Sequence, residues 1–385
     1  MRDRPAGRIG SLDGLRGVAA AVVLIHHGLL VVPSLSDGNN GLPVPASRAW
    51  LVDSPLHLFW AGGEAVFVFF VLSGFVLTLP SLRRAQDWFA YYPSRLLRLY
   101  VPVVASVALA LVLFLLVPRT ADPGSSGWLL RHVEPLTAGG LLGDVTLWSP
   151  TRLNSPLWSL TWEVAFSLLL PVFVLLAKAT SRVWWLTAVA ALLLSAYGRQ
   201  VHEDWLMYLP MFLLGSALAA GWERIPEIRR GPGWVLAALA VLGITFEWWV
   251  PRSMVGLHVP IVVLASAGLI VLLCGKWLPA ERVMLGPVPR ALGRLSFSLY
   301  LVHEPITVSV ALLLPTSVPW LTPIIAIPVA VVVAGLFARL VELPAHRLAK
   351  RVAKTITVRR GRVGPAAPRD DGADAGLRDD DRRAA

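Results

Sequence analysis

Val101-Pro102-Val103-Val104-Ala105-Ser106-Val107-Ala108-Leu109-Ala110-Leu111-Val112-Leu113-Phe114-Leu115-Leu116-Val117 runs without one charged side chain. Extended back to residue 97, it is long enough, as an α-helix rising 1.5 Å per residue, to cross a hydrocarbon core of about 30 Å. Nine more stretches have the same character, at roughly 12–33, 61–80, 156–177, 183–198, 205–222, 233–250, 257–274, 292–314 and 322–342, of which 183–198 is the shortest. In lipid a helix satisfies its own backbone hydrogen bonds. The pattern therefore predicts an all-α, polytopic integral membrane protein of about ten transmembrane helices.

Composition agrees. Of 385 residues 56% are hydrophobic and only 15% charged, where a soluble domain carries roughly a quarter charged residues. The net charge of +11 could suit nucleic acid, but the basic residues fall in short clusters between apolar runs and no basic-aromatic groove forms, so no nucleic-acid partner is expected. They concentrate on the N-terminus, alternate loops and the C-terminus, which predicts both termini in the cytoplasm and a multi-pass protein of the inner (plasma) membrane. Trp residues near the proposed helix ends fit interfacial belts. The first stretch contains Arg16, His26 and His27 and lacks an A-x-A site, so it is expected to stay as a helix rather than be cleaved. Residues 1–348 read as one membrane domain. Residues 349–385 read as a basic juxtamembrane segment and a disordered cytoplasmic tail, the stretch after Thr357 having almost no large apolar residue. Cys274 is the only cysteine, which removes disulfides and cysteine-based metal sites, and no metal is expected.

Ionisable side chains inside a span are costly and mark cavities or partners. Arg16, His26 and His27 lie in the first stretch, Glu163 in the fourth, His303 and Glu304 in the ninth, and Arg339 and Glu342 in the tenth. Buried ion pairs could account for some of them, but not readily for the group. Eleven residues separate Arg16 from His27, which is about 1100° of helical rotation, within about 20° of eclipsed, and about 16 Å along the axis. They share a face, with Arg16 at the cytoplasmic mouth and His27 near the bilayer centre. His26 points about 100° away and is expected to pack. A guanidinium at the mouth can hold a phosphate or carboxylate, and a neutral imidazole deeper in can take a proton from a hydroxyl. Arg95 and Arg98, three apart, project from one side at the start of the third stretch. Ser73-Gly74 and Gly62-Gly63 lie in the second, where small residues usually permit close helix packing. No nucleophile elbow, Walker A loop, dinucleotide fingerprint or zincin motif occurs.

Six pieces, in order, resemble the acyltransferase-3 family of membrane O-acyltransferases: Ser11-Leu12-Asp13-Gly14-Leu15-Arg16-Gly17 through His27; Phe69-Phe70-Val71-Leu72-Ser73-Gly74-Phe75; Arg95-Leu96-Leu97-Arg98; Leu157-Trp158-Ser159-Leu160-Thr161-Trp162-Glu163; Ser298-Leu299-Tyr300-Leu301-Val302-His303-Glu304-Pro305; and Glu342-Leu343-Pro344. The resemblance covers about residues 9 to 348. It implies a cytoplasmic acyl-CoA as co-substrate, no bound cofactor, and a hydroxyl acceptor on a saccharide, glycolipid or secondary metabolite, with acetyl the expected acyl group. It makes His27 the catalytic histidine and Arg16, Arg95 and Arg98 the donor-binding residues. Glu163 and His303 join the catalytic group, and Ser73, Glu304 and Glu342 are further site candidates. Glu304 stands where many members carry an aromatic or apolar residue, and no esterase-like domain follows the tenth stretch. Glu163 is the carboxylate expected to orient His27. The alternative is a transporter or flippase of a lipid-linked sugar, since intramembrane His and Glu also serve proton relays, although no paired interrupted helices repeat in two halves. A non-catalytic scaffold would leave the shared face of Arg16 and His27 unexplained.

Overall fold

The computed structural model describes residues 9–251, 254 and 256–363, and every regular element among them is helical. Ten helices follow the ten apolar stretches in order: α1 (Gly10–Leu29), α2 (Gly62–Arg83), α3 (Trp88–Leu116), α4 (Leu157–Ala179), α5 (Trp184–Gln200), α6 (Asp204–Gly221), α7 (Arg230–Ile244), α8 (His258–Lys276), α9 (Pro287–Leu313) and α10 (Leu321–Phe337). Eight are long and apolar enough to cross a membrane, α10 together with the helix that continues it. The exceptions, α5 with 17 residues and α7 with 15, reach about 26 and 23 Å.

The boundaries differ from expectation where local chemistry outweighs hydropathy. α3 starts well before residue 97 because the Asp87 side chain caps it, accepting from the Ala90 N–H at 3.3 Å. Arg95 and Arg98 are thus inside a helix. α1 stops at Leu29 and the chain turns into a short helix at Pro33–Asn39. His27 therefore occupies the last turn of α1, about three turns along the helix from Arg16. α10 passes through one wide π turn, Ala338–Glu342, into α11 (Leu343–Val363). The domain boundary expected at residue 348 falls inside that continuous helix. α11 packs on α3, and the Thr357 hydroxyl donates to Asp87 at 2.9 Å, which orders a polar stretch that composition alone leaves loose. The rest of the expected tail, 364–385, lies outside the described residues.

α1 and α9 meet backbone to backbone. A Cβ on Gly17 would fall 2.2 Å from the Gly293 nitrogen and one on Gly293 2.3 Å from the Asp13 oxygen, while one on Gly14 would fall 2.0 Å from the oxygen of Met284, in the short helix just before α9. No side chain fits there. α2 and α6 repeat the device, a Cβ on Gly74 falling 2.1 Å from the Phe212 oxygen. Around these seams Phe70, Phe166 and Phe212 form the aromatic centre, with ring centroids 4.5–4.7 Å apart. The segments 30–60 and 117–156 fold back over one end of α1 and α9. There Leu30, Val32, Leu35, Val52, Trp60, Trp128 and Leu129 make a second apolar cluster with Val308 and Ala311 of α9.

Two outcomes are expected. Reporter fusions after Arg84 and Arg229 read cytoplasmic, and fusions after Asn40, Pro123 and Pro319 read external; a cytoplasmic signal at Pro319 refutes the ten-helix topology. Gly17→Leu forces α1 off α9 and lowers the melting temperature in detergent, since overpacking costs about 1–3 kcal/mol or more. An unchanged melting temperature would contradict the seam.

Candidate functional site

A cavity of about 850 Å³ opens at the Arg16 end of the bundle. Its wall includes Arg16, Ser73, Arg95, Arg98, Glu163, Tyr300, Arg339 and Glu342, so the structure brings most of the expected charged residues together. The Arg95 Nε–H donates to the Ser167 hydroxyl at 3.0 Å, and its guanidinium pairs with the Glu163 carboxylate. Arg98 donates from Nε to Nε2 of His346 at 2.9 Å. That nitrogen must carry a lone pair, so its 3.8 Å approach to Glu342 is not an ion pair, and His346 keeps its proton on Nδ1. Glu342 accepts from the Ser298 hydroxyl at 2.5 Å, and the charges of Arg98 and Arg16 act on its carboxylate. The π turn places Glu342 and Arg339 on this wall; such turns often occur at functional sites.

At the other end of α1 and α9 lies a buried imidazole cluster. Tyr300 links the two ends: its hydroxyl meets Ser159 at 2.6 Å and donates to the Pro156 carbonyl at 3.1 Å, while its ring centroid is 5.8 Å from that of His303. His303 Nδ1 lies 3.0 and 2.8 Å from the carbonyls of Leu299 and Tyr300. Only an N–H satisfies those oxygens, so neutral His303 has its lone pair on Nε2. That lone pair faces Nδ1 of His27 at 3.1 Å, and Nδ1 of His27 also lies 3.0 Å from the Val23 carbonyl. Both partners require an N–H on Nδ1. The lone pair of neutral His27 is therefore on Nε2, which lies 3.8 Å from Glu304 Oε1.

The carboxylate beside His27 is thus Glu304, whereas Glu163, expected to orient it, is engaged by Arg95. The reason is helical register: Glu304 follows His303 on α9, and the α1–α9 seam brings that turn against His27. His26 behaves as its angle requires. Nδ1 bonds the Trp60 carbonyl at 2.8 Å, the ring stacks on Trp60, and it borders a separate cavity of about 490 Å³ with Glu64, Arg199 and Glu247. A Cβ on Gly62 would fall 2.4 Å from His26 Cγ, so that glycine makes room for the imidazole.

Three members of the cluster escape a reading of spans. Asn154 donates to the Leu301 carbonyl at 2.9 Å, Ser155 gives its N–H and its hydroxyl to Glu304, and His132 Nε2 lies 3.2 Å from Glu304 Oε1. All come from the segment 117–156, where no periodicity singles out a residue.

Known proteins align with nearly the whole of this arrangement. The family model for the acyltransferase domain matches residues 9–339, ending just before Glu342. Acyltransferase MdmB of Streptomyces mycarofaciens is 29% identical over 384 residues, covering 89% of this chain and 93% of that protein. Nodulation protein 10 of Rhizobium leguminosarum bv. viciae is 26% identical over 327 residues, covering 78% of this chain and 83% of that protein. No solved structure matches.

The Arg95–Glu163 pair is mostly buried, its side chains 12% and 14% exposed. Breaking a buried pair from one side costs roughly 3–5 kcal/mol. Arg95→Gln and Glu163→Gln should each lower the melting temperature in detergent, and the double variant should lose less than the sum. Strict additivity would mean that the two are not coupled.

Proposed function

The chain belongs to the acyltransferase domain family and is a membrane acyltransferase, and from that premise we propose that it transfers an acyl group, acetyl in the simplest case, from acyl-CoA to a hydroxyl of a carbohydrate, glycolipid or secondary-metabolite acceptor. The donor enters the arginine-lined cavity from the cytoplasm, across the plasma membrane's inner face, with its phosphates on Arg16, Arg95 and Arg98. Its thioester extends past Tyr300 toward His27.

His27 is the general base in this reading. Nε2 takes the proton of the acceptor hydroxyl, the oxygen attacks the thioester carbon, and the carbon–sulfur bond breaks. The proton then passes from His27 to the departing sulfur, giving ester and free CoA and restoring the neutral imidazole. The observation that carries this is the fixed tautomer: His303 and Val23 hold the proton of His27 on Nδ1, which leaves the basic nitrogen at Nε2. A sugar hydroxyl is a poor nucleophile at neutral pH, and a positioned base is worth roughly 100- to 10,000-fold.

Purified protein in detergent, given acetyl-CoA, should release free thiol and lose that activity in His27→Ala. His26→Ala removes an equal imidazole from another face and should keep substantial activity once normalised to folded protein. If His26→Ala is the dead variant, the base is misassigned. Arg95→Ala or Arg98→Ala should weaken acyl-CoA binding, charge-assisted contacts being worth about 1.5–3 kcal/mol each. Lys at either position should rescue only in part, because it lacks the planar fork. Unchanged donor affinity in both Ala variants would remove the phosphate role.

A further inference from the structure

Glu304 sits inside the α9 span with none of its surface exposed. A carboxylate in that setting needs a partner. One oxygen or the other accepts the Ser155 N–H and the Ser155 hydroxyl, the latter at 2.5 Å. The same Oε1 lies 3.2 Å from His132 Nε2 and 3.8 Å from His27 Nε2. His132, only 4% exposed, has its other nitrogen 2.8 Å from the Trp128 carbonyl. Both of its nitrogens face oxygen. A neutral imidazole has a single N–H, so satisfying both contacts requires one extra proton, held by His132 as an imidazolium or by Glu304 as an acid. Either way the His132–Glu304 pair is neutral as a unit, and its counter-ion comes from the folded-back segment rather than from a transmembrane helix.

We propose that His132 and Glu304 form a positioning dyad for His27, in which His132 keeps Glu304 ionised inside the bundle so that a carboxylate faces the nitrogen of His27 that gains the proton. The proposal rests on His27 being the base. When His27 takes the hydroxyl proton on Nε2, the positive charge develops 3.8 Å from Glu304 Oε1, against an anion already in place, which is where preorganised charge is most effective. The proton then leaves to the sulfur, and the dyad ends as it began. His27 is also faced by His303 and His26; Glu304 has Asp144 and Tyr300 within electrostatic range besides the two histidines. Glu304 is the carboxylate among the groups that act most strongly on His27. The dyad also explains why the span tolerates a Glu at residue 304: the folded-back segment brings its neutralising partner.

The test needs no knowledge of the acceptor. Acetyl-CoA hydrolysis, with water as acceptor, reports turnover, and its kcat and KM separate the chemistry from donor binding. Glu304→Gln removes the anion that faces the developing positive charge. It should lower kcat roughly 100-fold with the KM for acetyl-CoA little changed. His132→Ala strips the counter-ion, so Glu304 takes up a proton and the phenotype should match Glu304→Gln; the double variant should lose no more than either single one. An unchanged kcat in Glu304→Gln, or an additive double variant, overturns the dyad. Should Glu304→Gln not fold, Glu304→Asp withdraws the charge from His27 and should lower kcat in the same sense with the KM for acetyl-CoA little changed, and an unchanged kcat there overturns the proposal equally. An active His27→Ala would instead bring down the base assignment, whatever Glu304 does.

Discussion

The contact on which the rest depends is the backbone seam between α1 and α9. Gly17 and Gly293 remove the Cβ atoms that would hold these helices apart, and Gly14 does the same against Met284, just before α9. Without a hydrophobic force between helices in lipid, close packing of small residues is a main source of association. The seam does more than hold two helices together. It fixes the register of α1 on α9, and register decides which side chains three turns away can meet. His27 reaches His303 and Glu304 because Asp13 and Gly17 lie against Gly293.

One consequence is a division of the bundle into two chemical ends joined by the same pair of helices. The arginine end is roomy and mixed in charge, with Arg95 held by Glu163 and Arg98 by His346. The imidazole end is tight, and its tautomers are fixed by backbone carbonyls of α1 and α9. Tyr300 and Ser159 stand between them. A long donor with a charged head and a reactive tip suits such a layout better than a compact solute does. Its charge would be met at one end and its chemistry at the other.

The second consequence concerns the segment 117–156. It has no long helix, yet Trp128 and Leu129 are buried against α9 and Ser155 and Asn154 bind its turn at Leu301–Glu304. Buried polar groups need partners, and a transmembrane helix cannot supply them all from its own sequence. The folded-back segment completes the cluster from outside, which also shields it from solvent.

The helical membrane class, the order of the ten helices, and the residues of α1, α4, α9 and the π turn after α10 that do not belong in lipid were all legible in the sequence alone. The reason is that apolar length and misplaced charge are local properties, readable along one stretch. The shared face of Arg16 and His27 and the separate direction of His26 were legible for the same reason, as angles on one helix. Helix ends were less so: the Asp87 cap of α3, the stop of α1 at Leu29 and the π turn before α11 depend on single hydrogen bonds and on packing that hydropathy does not record. Partner choice was not legible at all. That Glu163 belongs to Arg95 and Glu304 to His27 and His132 follows from contacts between helices distant in sequence, and only their docking, set by the absence of three Cβ atoms, decides which charge meets which.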